Sequence, residues 1–204
     1  MDGTLVDAFA PIVRALNQTL QEFGLEPLSE RDIRRHTGKG DCSMRALFGA
    51  HQEKAGRRFL EIHDEDYFTG IKPLEGADTL LRWLQHQQIP AAVVTSKGQH
   101  RAEAQLAHLG WNNQFQCVIG KLEGRASKPD PETLLLACEH IGIQPQYAVM
   151  IGDGLADIKA AKRAGCLALG IHTSFSHQEL IGAGAAHTFS TLTEVQAWLK
   201  MQIH

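Results

Sequence analysis

The chain has 204 residues, 43% of them hydrophobic and 21% charged, enough apolar material for one large domain or a core with a small insert. Its net charge of -3 gives no electrostatic basis for nucleic acid or an anionic membrane as partner, while small phosphorylated compounds stay open. No apolar run approaches the roughly 20 residues that span a bilayer and no basic-then-apolar leader opens the chain, so the expected location is the cytoplasm.

The first residues, "MDGTLVDAFAP", look like the end of a strand-to-loop motif with no strand before it. From about Pro11 to Phe68 apolar positions recur at three-to-four spacing, which predicts the helices "PIVRALNQTLQEFGL", "SERDIRRHTG", "CSMRALFGA" and "AGRRFLEIHDEDYF". Ser29 and Asp32 resemble a capping box, and the acidic run Asp64, Glu65, Asp66 reads as a solvated helix face.

After "IKPLEG" the pattern changes to apolar runs ("IPAAVVTS", "QCVIG", "YAVMIGDG", "CLALGIHT") alternating with amphipathic helices, the last being "TLTEVQAWLK". That alternation predicts an α/β fold with a parallel, Rossmann-like sheet covered on both faces. The expected organisation is a core from residues 1–10 and 73–204 with a helical insert at 11–72, hinged near Asp7 to Pro11 and Tyr67 to Gly76.

Cys42, Cys117, Cys138 and Cys166 are scattered without a C-x-x-C pair and read as buried free thiols. None of the eleven histidines forms an H-x-x-x-H pair, so a histidine metal site is not indicated.

Three candidate sites share one location, the carboxyl ends of predicted strands, where ligands gather in open parallel sheets. Thr95 and Ser96 end "VVTS" and offer hydroxyl and backbone donors, although such a pair is ordinary turn chemistry as well. Lys128 in "ASKPDPE" precedes a proline that holds it extended, so its ammonium could serve as a fixed charge for an anion. In "VMIGDGLADIKAAKRAG", Asp153 lies at a strand tip and Asp157 in the first helical turn, a spacing that lets both converge on a hard cation such as Mg²⁺ or leaves Asp157 as a helix N-terminal charge. "GDGLAD" is also a partial G-x-G-x-x-G, but Asp157 replaces the third glycine and Asp153 would repel a pyrophosphate.

In this order, "DGTLVD", "VVTS", "KPDPE" and "GDGLAD" resemble the four motifs of the haloacid dehalogenase-like hydrolase superfamily, with a helical insert similar to its C1-type cap. The nearest resemblance inside it is to the phosphoglycolate phosphatases, whose Gly-x-Gly cap segment is similar to "HTGKGDCSMRAL". The resemblance implies a Mg²⁺-dependent phosphatase of a small phosphorylated metabolite, phosphoglycolate being the leading candidate, acting through an aspartyl-phosphate as monomer or homodimer. It implies Asp2 as acid/base, Thr95 and Lys128 as catalytic phosphate contacts, and Gly3, Ser96, Gly38, Lys39 and Gly40 around the substrate. Asp2, Asp153 and Asp157 form the implied metal set.

The family's first motif reads D-x-D-G-T, and Met1 stands at its "x". The attacking Asp and the strand carrying it are therefore expected just ahead of Met1, and Asp7 does not replace that Asp because it lies toward the cap linker. Without them the chain should be inactive. A sugar-phosphate mutase of the β-phosphoglucomutase kind and an inactive binding protein are the alternatives. Gly154 departs from the Ser common in relatives.

Overall fold

A computed structural model describes residues 1–39 and 41–202, except for the side chains of residues 41 and 42. Gly40 and the Cys42 side chain, both included in the expectations above, lie outside that description. Cys138 is buried, and Cys117 and Cys166 are partly so, all three unpaired.

The chain opens with a two-residue strand β1 (Val6–Asp7) and four helices, α1 (Phe9–Glu22), α2 (Glu30–Lys39), α3 (Asp41–Ala46) and α4 (Gln52–Glu65). Phe9, Ile12, Leu16 and Leu20 recur along one face of α1, and burying that stripe against Ile33, Phe48 and Ala55 gives the four helices an apolar cluster of their own. Leu20 is 2% and Ile33 0% exposed, so this centre is dry. Ser29 accepts from the Asp32 N–H at 3.2 Å and donates to its carboxylate at 2.6 Å, starting α2 as its capping signature predicts.

Strand β2 (Lys72–Pro73) returns antiparallel beside β1, closing a short two-stranded ribbon at the exit from the helices. The chain then alternates α5 (Ala77–His86), β3 (Ala92–Gly98), α6 (Gln99–His108), β4 (Cys117–Lys121), α7 (Glu132–Ile141), β5 (Val149–Gly152), α8 (Leu155–Ala164), β6 (Leu167–Ile171), α9 (His177–Ala183), β7 (His187–Phe189) and α10 (Leu192–Gln202). Every pairing among β3 to β7 is parallel, as the alternation of apolar runs and helices requires. Two apolar clusters cover the sheet, one on α5 and α10 with Leu80 and Val195, the other on α7, α8 and α9 with Leu134, Ile158 and Leu180.

The sheet is not continuous among the described residues. β3 pairs with β4, and β5 pairs with β6 and β7, as two separate pieces. The facing edges of β3 and β5 border a cavity of about 440 Å³ whose wall includes Val93, Val94, Met150 and Ile151, with Met1 and Leu5 at one end. No helix among the described residues is long and apolar enough to cross a membrane.

Candidate active site

The first six residues fold back on themselves. The N–H groups of Thr4, Leu5 and Val6 lie 3.2, 2.8 and 3.1 Å from the Met1 carbonyl, and Gly3 takes φ +76°, where side-chain-bearing residues are strained. Gly3 is a glycine for a second reason, since a Cβ there would fall 2.2 Å from an Asp153 oxygen. This turn seats Asp153: Thr4 Oγ1 donates to its Oδ1 at 2.8 Å, and Ser174 Oγ to its Oδ2 at 2.5 Å. Thr173 Oγ1 donates to the Gly3 carbonyl and ties the turn to the loop after β6.

Asp157 sits at the third position of α8. Its Oδ2 accepts from the Gly154 N–H at 3.0 Å while its Oδ1 meets Lys128 Nζ at 2.5 Å. Lys128 is 7% exposed, and its ammonium also donates to the Val94 carbonyl at 3.1 Å, so it spans from the middle of β3 to the start of α8. Burial alone would raise the Asp157 carboxyl, but the Lys128 charge overrides it and holds the group below the ordinary carboxylate range. Asp153 goes the other way: burial and then the Asp157 charge push its carboxyl up, and the two hydroxyls offset this only in part.

Asp2 points elsewhere. Its Oδ2 pairs with Lys97 Nζ at 2.8 Å and its Oδ1 accepts from Gln105 Nε2 at 2.8 Å. Burial opposes its ionisation, yet the Lys97 charge first, then the Met1 amino group and the hydrogen bonds from Lys97 and Gln105, keep the carboxyl below its ordinary range. The three carboxylates expected to share a cation therefore divide two and one, and no group of three or more His, Cys, Asp or Glu side chains gathers as a metal site among the described residues. Asp153 and Asp157 still suit Mg²⁺, which takes one or two carboxylates and completes its shell with water and phosphate.

Asp2, Thr95, Ser96, Lys128, Asp153 and Asp157 all line one cavity of about 840 Å³ between the sheet's carboxyl end and the helices α1 to α4. Its far wall comes from Phe48, Phe59 and Leu60 with Arg45 and Arg57. Gly3 supports this cavity from behind, against Asp153. Gly38 and Lys39, expected around the substrate, do not line it; they are the last two residues of helix α2.

Gly38 instead meets the start of α8. A Cβ on Gly154 would lie 2.5 Å from the Gly38 carbonyl oxygen, and one on Gly38 would lie 2.7 Å from the Phe175 ring. Close backbone contact of α2 with α8 thus accounts for glycine at 154. Arg35 flanks the contact, stacking 4.7 Å over Phe175 and pairing with Glu179 at 2.6 Å. The hydrogen bonds from Arg35, then those from Ser176, hold the Glu179 carboxyl down at about 2. Gly154→Ala is expected to lift α2 from the core and raise the KM for substrate at least several-fold, with little loss of melting temperature because α1 to α4 keep their own cluster. Limited proteolysis of residues 66–76 checks it, with faster cleavage in the variant.

The sequence reading did not assign roles to Lys97, Gln105, Thr4 and Ser174. Lys97 stands inside "VVTSKG" and Thr4 inside "DGTLVD", so motif position signals both; nothing local marks Gln105 or Ser174.

Carboxylates and a buried lysine gathered at the carboxyl end of a parallel α/β sheet stand where such sheets bind their ligands. The chain belongs to the haloacid dehalogenase-like hydrolases, whose family model matches residues 1–171. It is 29% identical to a phosphoglycolate phosphatase of Chromobacterium violaceum over 98% of this chain and 94% of that protein. To an N-acetylmuramic acid 6-phosphate phosphatase of Pseudomonas aeruginosa it is 32% identical, over 88% and 82%. A crystal structure of a hydrolase from Pseudomonas syringae superposes with a TM-score of 0.83 at 25% identity, covering 98% of this chain and 95% of that one.

Proposed function

We propose that this protein is a Mg²⁺-dependent phosphatase of small phosphorylated metabolites, with phosphoglycolate the first substrate to test. The observation that carries the reading is the convergence of Asp2, Thr95, Ser96, Lys128, Asp153 and Asp157 on one cavity. The names of its relatives supply the substrate class, and Arg45 and Arg57 on the far wall suit a substrate with a second anionic group.

In this reading the Thr95 and Ser96 donors bind the phosphoryl oxygens and Lys128 balances their charge. Asp153 and Asp157 would hold a Mg²⁺, whose charge would offset that of the phosphoryl group. The attacking carboxylate belongs to a residue on the amino side of Met1, carried by an extended apolar segment lying between β3 and β5. The apolar lining of the 440 Å³ cavity, the unpaired strand edges and the position of Met1 on both cavities support that placement. Attack on phosphorus forms an aspartyl-phosphate as the ester oxygen leaves.

Asp2 gives a proton to that leaving oxygen and later takes one from the water that hydrolyses the aspartyl-phosphate. Lys97 and Gln105 favour its ionised form in the empty site; the negative charge of a bound phosphate opposes them, so substrate binding itself promotes uptake of the proton. Residues 11–72 act as the cap, which closes over the cavity and limits water during the first step.

The test is phosphate release from phosphoglycolate by the protein with its natural upstream codons, in Mg²⁺ and after chelation. Release that chelation abolishes agrees with the proposal. Formation of an isomer from a sugar phosphate in place of release would move the protein to the mutases.

A further inference from the structure

Gln105 is a glutamine inside helix α6 with 0% of its surface exposed, a position where an apolar residue is the ordinary occupant. Its side-chain orientation is determined by its neighbours. Lys97 can only donate and the ionised Asp2 can only accept, so Oε1 faces Lys97 Nζ and Nε2 faces Asp2 Oδ1, the latter at 2.8 Å. A third group reads the same amide: the Tyr67 hydroxyl lies 3.1 Å from Gln105 Oε1 and 2.7 Å from the Arg101 carbonyl, sharing one proton between them.

Tyr67 belongs to the other side of the molecule. It follows α4 directly, at the hinge where the helical module returns to the sheet, and it is 7% exposed. An aromatic ladder fixes its ring: Phe59 on His63 at 5.5 Å, His63 edge-on to Tyr67 at 5.0 Å, Tyr67 to Phe68 at 4.9 Å, and Phe68 stacked on His108 of α6 at 4.4 Å. Lys97 Nζ lies 4.9 Å over the Tyr67 ring. Burial, then the charge of Lys97, hold His63 down at about 4, so His63 stays neutral at physiological pH.

We infer that Gln105 is a positioning residue for the Asp2 carboxylate and that Tyr67 makes its grip depend on the helical module being seated. The inference rests on the acid/base role proposed for Asp2. With the module docked, Tyr67 and Lys97 both occupy Gln105 Oε1, so Nε2 has no orientation open to it except toward Asp2. When the hinge carries Tyr67 away, the amide loses one of its two donors and Asp2 keeps only Lys97 as a fixed partner. Proton transfer is then aligned only under a seated module.

The test uses Gln105→Leu, Gln105→Glu and Tyr67→Phe in the protein with its natural upstream codons. Gln105→Leu is expected to lower kcat about 10- to 100-fold with KM within about twofold, the scale of a misplaced catalytic group. Gln105→Glu keeps the volume and the acceptor for Lys97 and Tyr67 but turns an anion toward Asp2, so it should be no better than Leu. Tyr67→Phe should lower kcat several-fold, and the Tyr67→Phe, Gln105→Leu pair should equal Gln105→Leu alone, because both act through one bond.

Crystal structures of Gln105→Leu and Tyr67→Phe supply a readout independent of turnover. Displacement of the Asp2 carboxylate in Gln105→Leu supports the inference even where the phosphatase assay itself gives nothing. An unmoved Asp2, or an unchanged kcat with only a lower melting temperature, would overturn it. An inactive parent protein with a displaced Asp2 in the variant would instead count against the proposed function.

Discussion

Asp2→Asn is expected to lower turnover by about 10²- to 10⁴-fold, the range that a positioned acid/base contributes. Asn keeps the Oδ1 that accepts from Gln105 at 2.8 Å, so shape and one hydrogen bond survive. What is lost is the proton that Asp2 carries, together with the counter-charge of Lys97, whose side chain is 9% exposed. A fall in kcat with a folded, substrate-binding protein fits the role given to Asp2. Steady-state kinetics with a melting curve on the same sample separates this from simple unfolding, and turnover within a few-fold of the parent would remove Asp2 from the chemistry.

Lys128→Ala is expected to fail in both stability and chemistry. Its ammonium meets Asp157 at 2.5 Å with side-chain exposures of 7% and 13%, and removing one partner of such a buried pair costs about 3–5 kcal/mol. For a chain of this size that lowers the melting temperature by ~6–20 °C. The pH dependence follows from the Asp157 carboxyl, which Lys128 holds below its ordinary value despite burial. A group depressed on folding contributes stability that is complete above its unfolded value, about 4, and is lost as pH falls through the folded one.

In the variant, burial acts on Asp157 unopposed by Lys128, and protonation removes the penalty as pH falls. The gap in melting temperature between parent and variant should therefore be widest near pH 7 and narrow toward pH 4. A gap that widens toward acid would contradict the pairing. Turnover should drop with it at every pH, since the same ammonium balances the bound phosphate.

The contrast between these two residues shows what the sequence could reveal. Thr95 and Asp153 were legible because each stands at the end of an apolar run, and in a parallel sheet all such ends lie on one side; Lys128 was legible from the proline after it and Asp157 from its place in the first turn of the helix that follows Asp153. Strands β3 to β6 were legible for the same reason. Strand β7 is three residues with an exposed His187, and β1 and β2 are two residues each, too short to show any periodicity. Helix α9 did carry a signature, Ser176 and Glu179 in a capping box ahead of Leu180, which the reading of that stretch passed over.

Gln105 could not be read from sequence. Its partner Asp2 is 103 residues away and Tyr67 is 38 away, so its local pattern is that of any polar helical residue. Gly38 misled for the opposite reason: its place in a Gly-x-Gly segment suggests a substrate contact, but it lies near the end of helix α2, where it packs against Gly154 and Phe175. Asp2 was legible as chemistry and illegible as geometry. Motif position identified it, while its turn toward Lys97 and Gln105, away from Asp153, depends on the packed core.

The most direct test is phosphate release from phosphoglycolate in Mg²⁺, compared between residues 1–204 alone and the same chain preceded by its natural upstream codons. The account predicts release from the extended form only, abolished by chelation, with both forms folded. Equal release from residues 1–204 alone would contradict the placement of the attacking carboxylate ahead of Met1. Absence of release from both folded forms, with phosphoglycolate and with sugar phosphates, would contradict the phosphatase reading itself.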